Sequence, residues 1–350
     1  MTAATLTMEQ RSEGVWAAAW RRYRKDRVGM VCMVIVAAFL VLIAASAVGL
    51  VAKDWQAEVG VPNAPPTFLG PRAEVPAVAT ADAPGPAASA PNVDISDIDP
   101  LAPKYAEWAE RAKGYETTET VKAQTLPLGA DRMGRDVLQK AIKGTQISVF
   151  VGVLAAVVAT LIGTLLGAVS GFFGGRVGDF LEWVYNVFTS IPDILLIFAF
   201  AAVFGRGIGT VVMILGLVGW TGLYRQVRAE FMKHRQREYV RAAEAIGASV
   251  SSRMFRHILP NVSHVILVRM SLLVVGFIKS EVILSYLGLG VPVSQVSWGT
   301  MLAEAQAELI LGYWWQLAAA TLFMAVFVTA FSLMADAWRD ALDPKLRGLE

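Results

Sequence analysis

Charge is scarce in this chain. Asp, Glu, Lys and Arg make up 17% of its 350 residues and hydrophobic residues 55%, whereas an ordinary soluble domain carries about 25% charge. A soluble single-core protein is excluded. There is one cysteine, Cys32, within an apolar run, so an intrachain disulfide framework and a thiolate metal site are excluded too. No G-x-x-x-x-G-K-[ST] occurs, and the chain therefore lacks the loop that cradles ATP phosphates. The three histidines, His234, His257 and His264, fall at spacings of 23 and 7, which do not gather them as ligands of one metal. Lys+Arg of 31 against Asp+Glu of 29 leaves a net charge of +2, so no basic surplus points to nucleic acid.

What the chain has instead is apolar runs of about 20 residues, each long enough for the roughly 30 Å hydrocarbon slab. Six read as membrane helices: Val28 to Val51, Val149 to Phe172, Phe180 to Phe204, Ile208 to Tyr224, Val265 to Leu287 and Tyr313 to Ala335. The fold class is an all-α polytopic membrane protein lodged in a lipid bilayer. The first run is too long for the apolar region of a signal peptide and reads as an uncleaved anchor. Residues 1–27 hold six Lys/Arg and residues 226–264 hold seven; short basic segments stay in the cytoplasm. Six spans put both segments, and the tail 341–350, on that same side, with both termini cytoplasmic. Tyr313, Trp314 and Trp315 at one end of the last span, and Trp338 past the other, suit aromatic belts at the two interfaces.

The loop from 53 to 148 falls outside, with 10 Lys/Arg against 13 Asp/Glu. Ten of the fifteen prolines lie between Pro62 and Pro103, where an Ala/Pro-rich sequence cannot sustain a helix. Residues 52–125 therefore read as an extracytoplasmic insert, between the first span and a membrane core over 126–340 that holds the other five spans. Within it, Ala102 to Lys113 is expected to form one helix with Tyr105, Trp108 and Ala112 on one face.

Within the spans, Gly163, Gly167 and Gly171 repeat every four residues and remove side chains from one face, where another helix can approach closely. That partner lies either in this chain or in a second subunit. Glu182, Asn186, Thr189 and Asp193 form a polar stripe at i, i+4, i+7 and i+11, beside a kink expected at Pro192. Ionisable groups in a bilayer cost at least about 2.5 kcal/mol each, so a wet pathway or polar helix contact must accommodate them. Lys279 and Glu281 are two apart and point to different faces, so each needs a partner elsewhere. Asp193 lies at a similar depth to Lys279 and is its candidate partner.

The most specific stretch is the segment 225–264. It reads Glu238-Tyr-Val-Arg241-Ala242-Ala243-Glu-Ala-Ile-Gly247-Ala248-Ser249, then Arg256-His-Ile-Leu259-Pro260-Asn261. The alanines make a slim helix, Gly247 permits a sharp change of direction and Pro260 marks a break or kink. On periodicity alone this is a basic segment lying on lipid. It resembles, however, the EAA loop of ABC-importer permeases: Ala242, Ala243, Gly247, Leu259 and Pro260 match that pattern at the required spacing. Arg241 stands where the generic pattern has an acidic residue and His257 where it has isoleucine; both fit the oligopeptide/dipeptide branch. Two further blocks resemble that branch's C-type subunit: Leu128-Gly-Ala-Asp131-Arg-Met-Gly134-Arg135-Asp136, and Glu281 with Leu284-Ser-Tyr-Leu-Gly-Leu-Gly290 and Ser297-Trp-Gly299. The likeness covers about residues 15–52 and 126–347.

That resemblance implies a type I ABC importer permease fold in a bacterial inner membrane, moving peptides or similar small solutes. It implies a second homologous permease subunit, two cytoplasmic ATPase subunits that bind ATP and Mg, and an extracytoplasmic solute-binding protein. It places ATPase coupling on Arg241, Ala242, Ala243, Gly247, Ala248, Ser249, Leu259 and Pro260. The chain itself would hold no cofactor and would not be an enzyme. Two other classes compete. An intramembrane hydrolase could draw on Asp193, Glu281, Ser280 and Ser285, but no histidine lies well inside a span to activate a serine. A sensor or scaffold could use the external loop, but would not need the cytoplasmic small-residue pattern.

Overall fold

A computed structural model describes residues 15–71, 101–113, 122–292 and 294–342. Regular structure among the described residues is helical, with isolated bridges between extended segments. In chain order the helices are α1 (Val15–Tyr23), α2 (Arg27–Ala47), α3 (Ala102–Lys113), α4 (Val137–Phe173), α5 (Gly175–Thr189), α6 (Asp193–Phe204), α7 (Ile208–Val218), α8 (Thr221–Arg235), α9 (Glu238–Ala245), α10 (Leu259–Tyr286), α11 (Trp298–Ile310) and α12 (Trp315–Leu342). A π-helical stretch, Ser252–Ile258, leads directly into α10.

Four helices are long and apolar enough to cross a membrane singly, and two bent pairs, α5 with α6 and α7 with α8, bring the number to six. The expected count holds, but two spans are broken. The first pair bends by 83° at Ser190-Ile191-Pro192, because proline offers no N–H and pushes the residue before it away from helical backbone. α4 starts twelve residues earlier than its apolar run suggests. Asp136 is the reason: its carboxylate accepts the Leu138 N–H at 2.8 Å and starts the helix. At 37 residues, or about 55 Å, α4 overshoots the slab, and its first turns carry Lys140 and Lys143 outside it.

α4 is the hub, packing against α7, α8 and α10. A Cβ on Gly152 would come 2.3 Å from Ile278 of α10, and one on Gly216 of α7 would come 2.5 Å from Val158 of α4, so these contacts require glycine. α2 lies against α12 and α4, with Phe39 edge-on to Phe327 at 5.3 Å.

The two ends of the bundle differ. At one, α1 folds back on the last turns of α12, where Trp338 stacks on Tyr23 at 4.6 Å and on Trp20 at 5.8 Å. One cavity at this end is lined by Gln226, His264, Arg339 and Leu342, so α1, the 226–264 segment and the end of α12 share a side, as six spans require. The tail beyond Leu342 lies outside the described residues. At the opposite end Trp315 is buried and donates its indole N–H to the Ala130 carbonyl at 2.7 Å. Trp315 and Trp338 thus also make intramolecular contacts, Trp338 half-buried, while Trp314 is exposed.

Of the Pro/Ala-rich insert, residues 52–71, 101–113 and 122–125 are described. Residues 55–69 fold onto 122–136: Gly60 donates to the Gly134 carbonyl at 2.9 Å, Val61 to Ala123 at 3.0 Å and Thr67 to Leu126 at 2.9 Å. Both ends of the insert therefore belong to the core, since their backbone groups need these partners. α3 has the expected bounds, with Tyr105 and Trp108 rings 5.8 Å apart.

Candidate functional site

The 225–264 segment forms a protruding hairpin of helices. α9 ends in a left-handed residue, Gly247 at φ +85°, and two bonds close the cap: Ala248 N–H to Ala243 O and Gly247 N–H to Glu244 O, both 2.9 Å. This pairing is a Schellman motif, which takes up carbonyls that the helix leaves free. Gly247 is needed for its backbone alone, because nothing lies within 4 Å of where its Cβ would be. Ser249 starts the next helical turn, its hydroxyl accepting the Ser252 N–H at 3.3 Å.

α9 has two faces. Arg241, Ala242, Glu244, Ala245 and Ile246 are exposed, and Ile246 at the tip is 86% exposed. Val240 and Ala243 are buried. Val240 joins a core made of Ala168 and Phe172 of α4, Leu223, Val227 and Phe231 of α8, and Met254, Ile258 and Val262 around the π segment. The protruding helix is thus bolted to the bundle by its inner face, while its outer face presents small residues and one large apolar side chain. Pro260 does not break the chain's course as expected: Ser252 to Tyr286 runs on as one 35-residue helix. The π turns just before it loosen the bonding that proline would disrupt, and Asn261 Nδ2 donates to the His257 carbonyl at 2.6 Å. Leu259 packs partly buried against the same core.

The glycine face of α4 meets α8. A Cβ on Gly163 would lie 2.8 Å from Trp220 O, on Gly167 2.7 Å from Tyr224 O and on Gly171 2.4 Å from Arg228 O. Contacts advance four residues together on both helices, so α4 and α8 run parallel in register. The stripe is internal packing.

The polar stripe divides. Because the span breaks after Thr189, Asp193 does not continue the α5 face. Glu182 is satisfied within the chain, pairing with Arg228 at 3.1 Å and accepting from the Tyr224 hydroxyl at 3.3 Å. The Ser170 hydroxyl accepts from Tyr224 at 2.9 Å and from Arg228 Nε at 3.0 Å, so this cluster ties α4, α5 and α8 together. Asn186, Thr189 and Asp193 are exposed, and Thr189 merely donates back to the Tyr185 carbonyl at 3.0 Å. Lys279 is exposed as well, and no ion pair joins it to Asp193 among the described residues.

Glu281 pairs with no cation among the described residues. It is fully buried, and the Ser285 hydroxyl donates to it at 2.7 Å, with the Ser148 and Ser297 hydroxyls beside it. Ser285 in turn accepts the Val291 N–H at 3.1 Å. Gly290 and Gly299 have no room for a side chain: their Cβ atoms would fall 2.3 Å from Ser285 Oγ and 2.5 Å from Val282 O. Glu281, Ser285, Gly290 and Gly299 thus pack together where α10 gives way to α11. No nucleophile–base pair is assembled there.

The Leu128–Asp136 block anchors a network that spacing could not reveal. Asp131 accepts the Met133 and Arg135 N–H groups at 2.9 Å, and pairs with Arg135 at 2.6 Å and Lys140 at 2.7 Å. Lys140, fully buried, also reaches Glu304 at 2.5 Å and Gln316 at 3.3 Å. Burial pushes the Asp131 carboxyl up, but the Lys140 charge and hydrogen bond, helped by Arg135, outweigh it and hold it below the usual carboxylate range. Glu308, largely desolvated, is pushed above that range despite accepting the Arg132 N–H at 2.9 Å. Lys140 and Glu304 stand 164 residues apart in sequence; no local pattern marks them as a pair.

Comparison with known proteins agrees with this architecture. Residues 159–348 match the family described as "Binding-protein-dependent transport system inner membrane component", and residues 14–66 match "N-terminal TM domain of oligopeptide transport permease C". The second match runs past the first span into the segment that folds onto 122–136. The chain is 37% identical over 238 residues to the oligopeptide transport system permease protein OppC of Bacillus subtilis, covering 67% of this chain and 78% of that one. To the dipeptide transport system permease protein DppC of Lactococcus lactis it is 30% identical over 333 residues, 93% and 90% of the two chains. To OppC of Escherichia coli K12 it is 36% identical over 254 residues, 71% and 82%. Six apolar spans, a protruding small-residue helix bolted to the bundle and a match over more than half its length lead to one conclusion: the chain belongs to the family of binding-protein-dependent transport system inner membrane components.

Proposed function

We propose that this inner-membrane permease forms half of an alternating-access pathway for peptides or similar small solutes, worked by ATPase subunits that dock on α9. The observation that carries the coupling role is the two-faced helix itself. Val240 sits in the core shared by α4 and α8, while Ile246 is 86% exposed at the tip. A force applied to the tip therefore reaches two spans through packed side chains, and packed elements move as bodies rather than deform. Arg241, Ala242, Gly247, Ala248 and Ser249 form or shape the docking surface; Ala243 and Leu259 belong to the anchor, and exposed Pro260 follows it at the start of α10. Basic segments at the α9 end support a cytoplasmic location for it, with the Trp315 end then facing a solute-binding protein. A second homologous permease would complete the pathway. Asn186, Thr189, Asp193 and Lys279, which this chain leaves exposed, would line that pathway or meet the second subunit. The relatives named for oligopeptide and dipeptide transport support peptides as the cargo.

The test is Gly247→Val. A β-branched residue resists a φ of +85°, and the open space around it leaves assembly unharmed. In the reconstituted transporter the variant is expected to co-purify with its ATPases yet lose peptide uptake while ATP hydrolysis continues. Uptake at the wild-type rate would refute the coupling role.

A further inference from the structure

At the base of α9 lies a cavity of about 500 Å³, walled by the ends of α4 and α8, by α9 and by Arg253. Its lining is strongly cationic. Arg235, Arg241 and Arg253 face it with one carboxylate, Glu244, which Arg253 already engages. Three guanidinium groups against one carboxylate leave two positive charges without a counter-charge in the lining. The groups are also held in place: Arg235 and Arg253 lie over the Phe172 ring at 5.7 and 5.5 Å, and Arg235 Nη1 donates to the Phe173 carbonyl at 3.4 Å. Arg253 Nε is buried with no partner, and the Arg241 guanidinium makes no side-chain hydrogen bond or ion pair among the described residues. Gly174, also in the lining, is the N-cap of the 15-residue α5 and supplies no side-chain cap. Gly174 thus brings the uncapped start of α5, the positive end of its helix dipole, to the cavity wall.

We propose that this cavity is a binding site for a phosphate-bearing anion. Planar guanidinium forks match phosphate oxygens in pairs, and an uncapped helix N-terminus supplies further N–H donors. The anion has two possible sources: a soluble phosphate, or the headgroup of an anionic phospholipid. The exposed Phe173 and Val177 flanking the Gly174–Gly175 turn give an acyl chain an adjacent apolar surface. Either anion would tie Arg241 on α9 to Arg235 on α8 and so stiffen the seat of the protruding helix. That consequence for transport rests on the coupling role proposed above; the binding itself does not.

The experiment uses the full chain alone, purified in an uncharged detergent. One arm titrates inorganic phosphate; the other titrates phosphatidylglycerol against phosphatidylcholine in mixed micelles. Both are followed by native mass spectrometry and thermal shift. Saturable binding is expected in at least one arm, and which arm identifies the source. Arg241→Glu, at an exposed position, and Arg253→Gln should each weaken it by at least about tenfold; Lys233→Gln, on the same end but outside the cavity, should leave it unchanged. No saturable binding in either arm, or wild-type affinity in Arg241→Glu, overturns the proposal. Because no ATPase is present, that failure would leave the Gly247→Val result untouched.

Discussion

Lys140 shows how far a single residue can depart from its usual habits. It is the longest charged side chain in a fully buried position, held by Asp131, Glu304 and Gln316. Taking one partner away from such a cluster strands the others in low dielectric. Lys140→Met is therefore expected to lower stability by about 3–5 kcal/mol, read as a drop in thermal unfolding temperature in detergent. The same cluster sets a pH response. Asp131 has its carboxyl lowered in the folded state, so its stabilisation is present above the ordinary carboxylate pKa and is lost as pH falls through the lowered value. Asp131→Asn should be less stable than the native chain at neutral pH, and the gap should close in acid; a gap that widens on acidification would contradict the assignment. The block Leu128–Asp136 is legible in sequence as a motif, and Asp136 as a helix start. Glu304 and Gln316 are not, because their roles depend on α11 and α12 arriving at the same corner.

Elements tell a similar story at longer range. The spacing of Gly163, Gly167 and Gly171 reveals a close-packed face but not its partner, since period alone carries no address. α8 supplies it, in parallel register. Gly167→Leu should force α8 backbone away and destabilise the chain by about 1–3 kcal/mol. Gly276→Leu in α10, where a Cβ meets nothing within 4 Å, should be neutral or stabilising by up to about 1 kcal/mol. Equal effects in a thermal unfolding comparison would deny the α4–α8 contact. Proline positions were half legible. Pro192 breaks its span as its chemistry dictates, whereas Pro260 is absorbed by the π segment before it, an accommodation no propensity announces.

Across the whole molecule, the fold sets which groups share an end, and the proposed orientation follows from the basic segments at that end. α1, the 226–264 segment and the last turns of α12 meet at one end, and Phe68 sits at the other. With Cys32→Ser as background, a membrane-impermeant thiol reagent should label Ile246→Cys only after permeabilisation and Phe68→Cys in intact cells. The reverse pattern would invert the topology.

Sequence by itself determined the medium, the six spans, the shared side of the basic segments and the family's small-residue loop, because hydropathy, charge and helical period are local properties written residue by residue. Only the tertiary structure decided that Glu182 and Glu281 meet partners within the chain, that Lys140 is buried among acids, that residues 55–69 fold onto 122–136 and that three arginines converge beneath α9. Those outcomes depend on which segments come into contact in space, and a pairing between different elements leaves no periodic trace in the sequence.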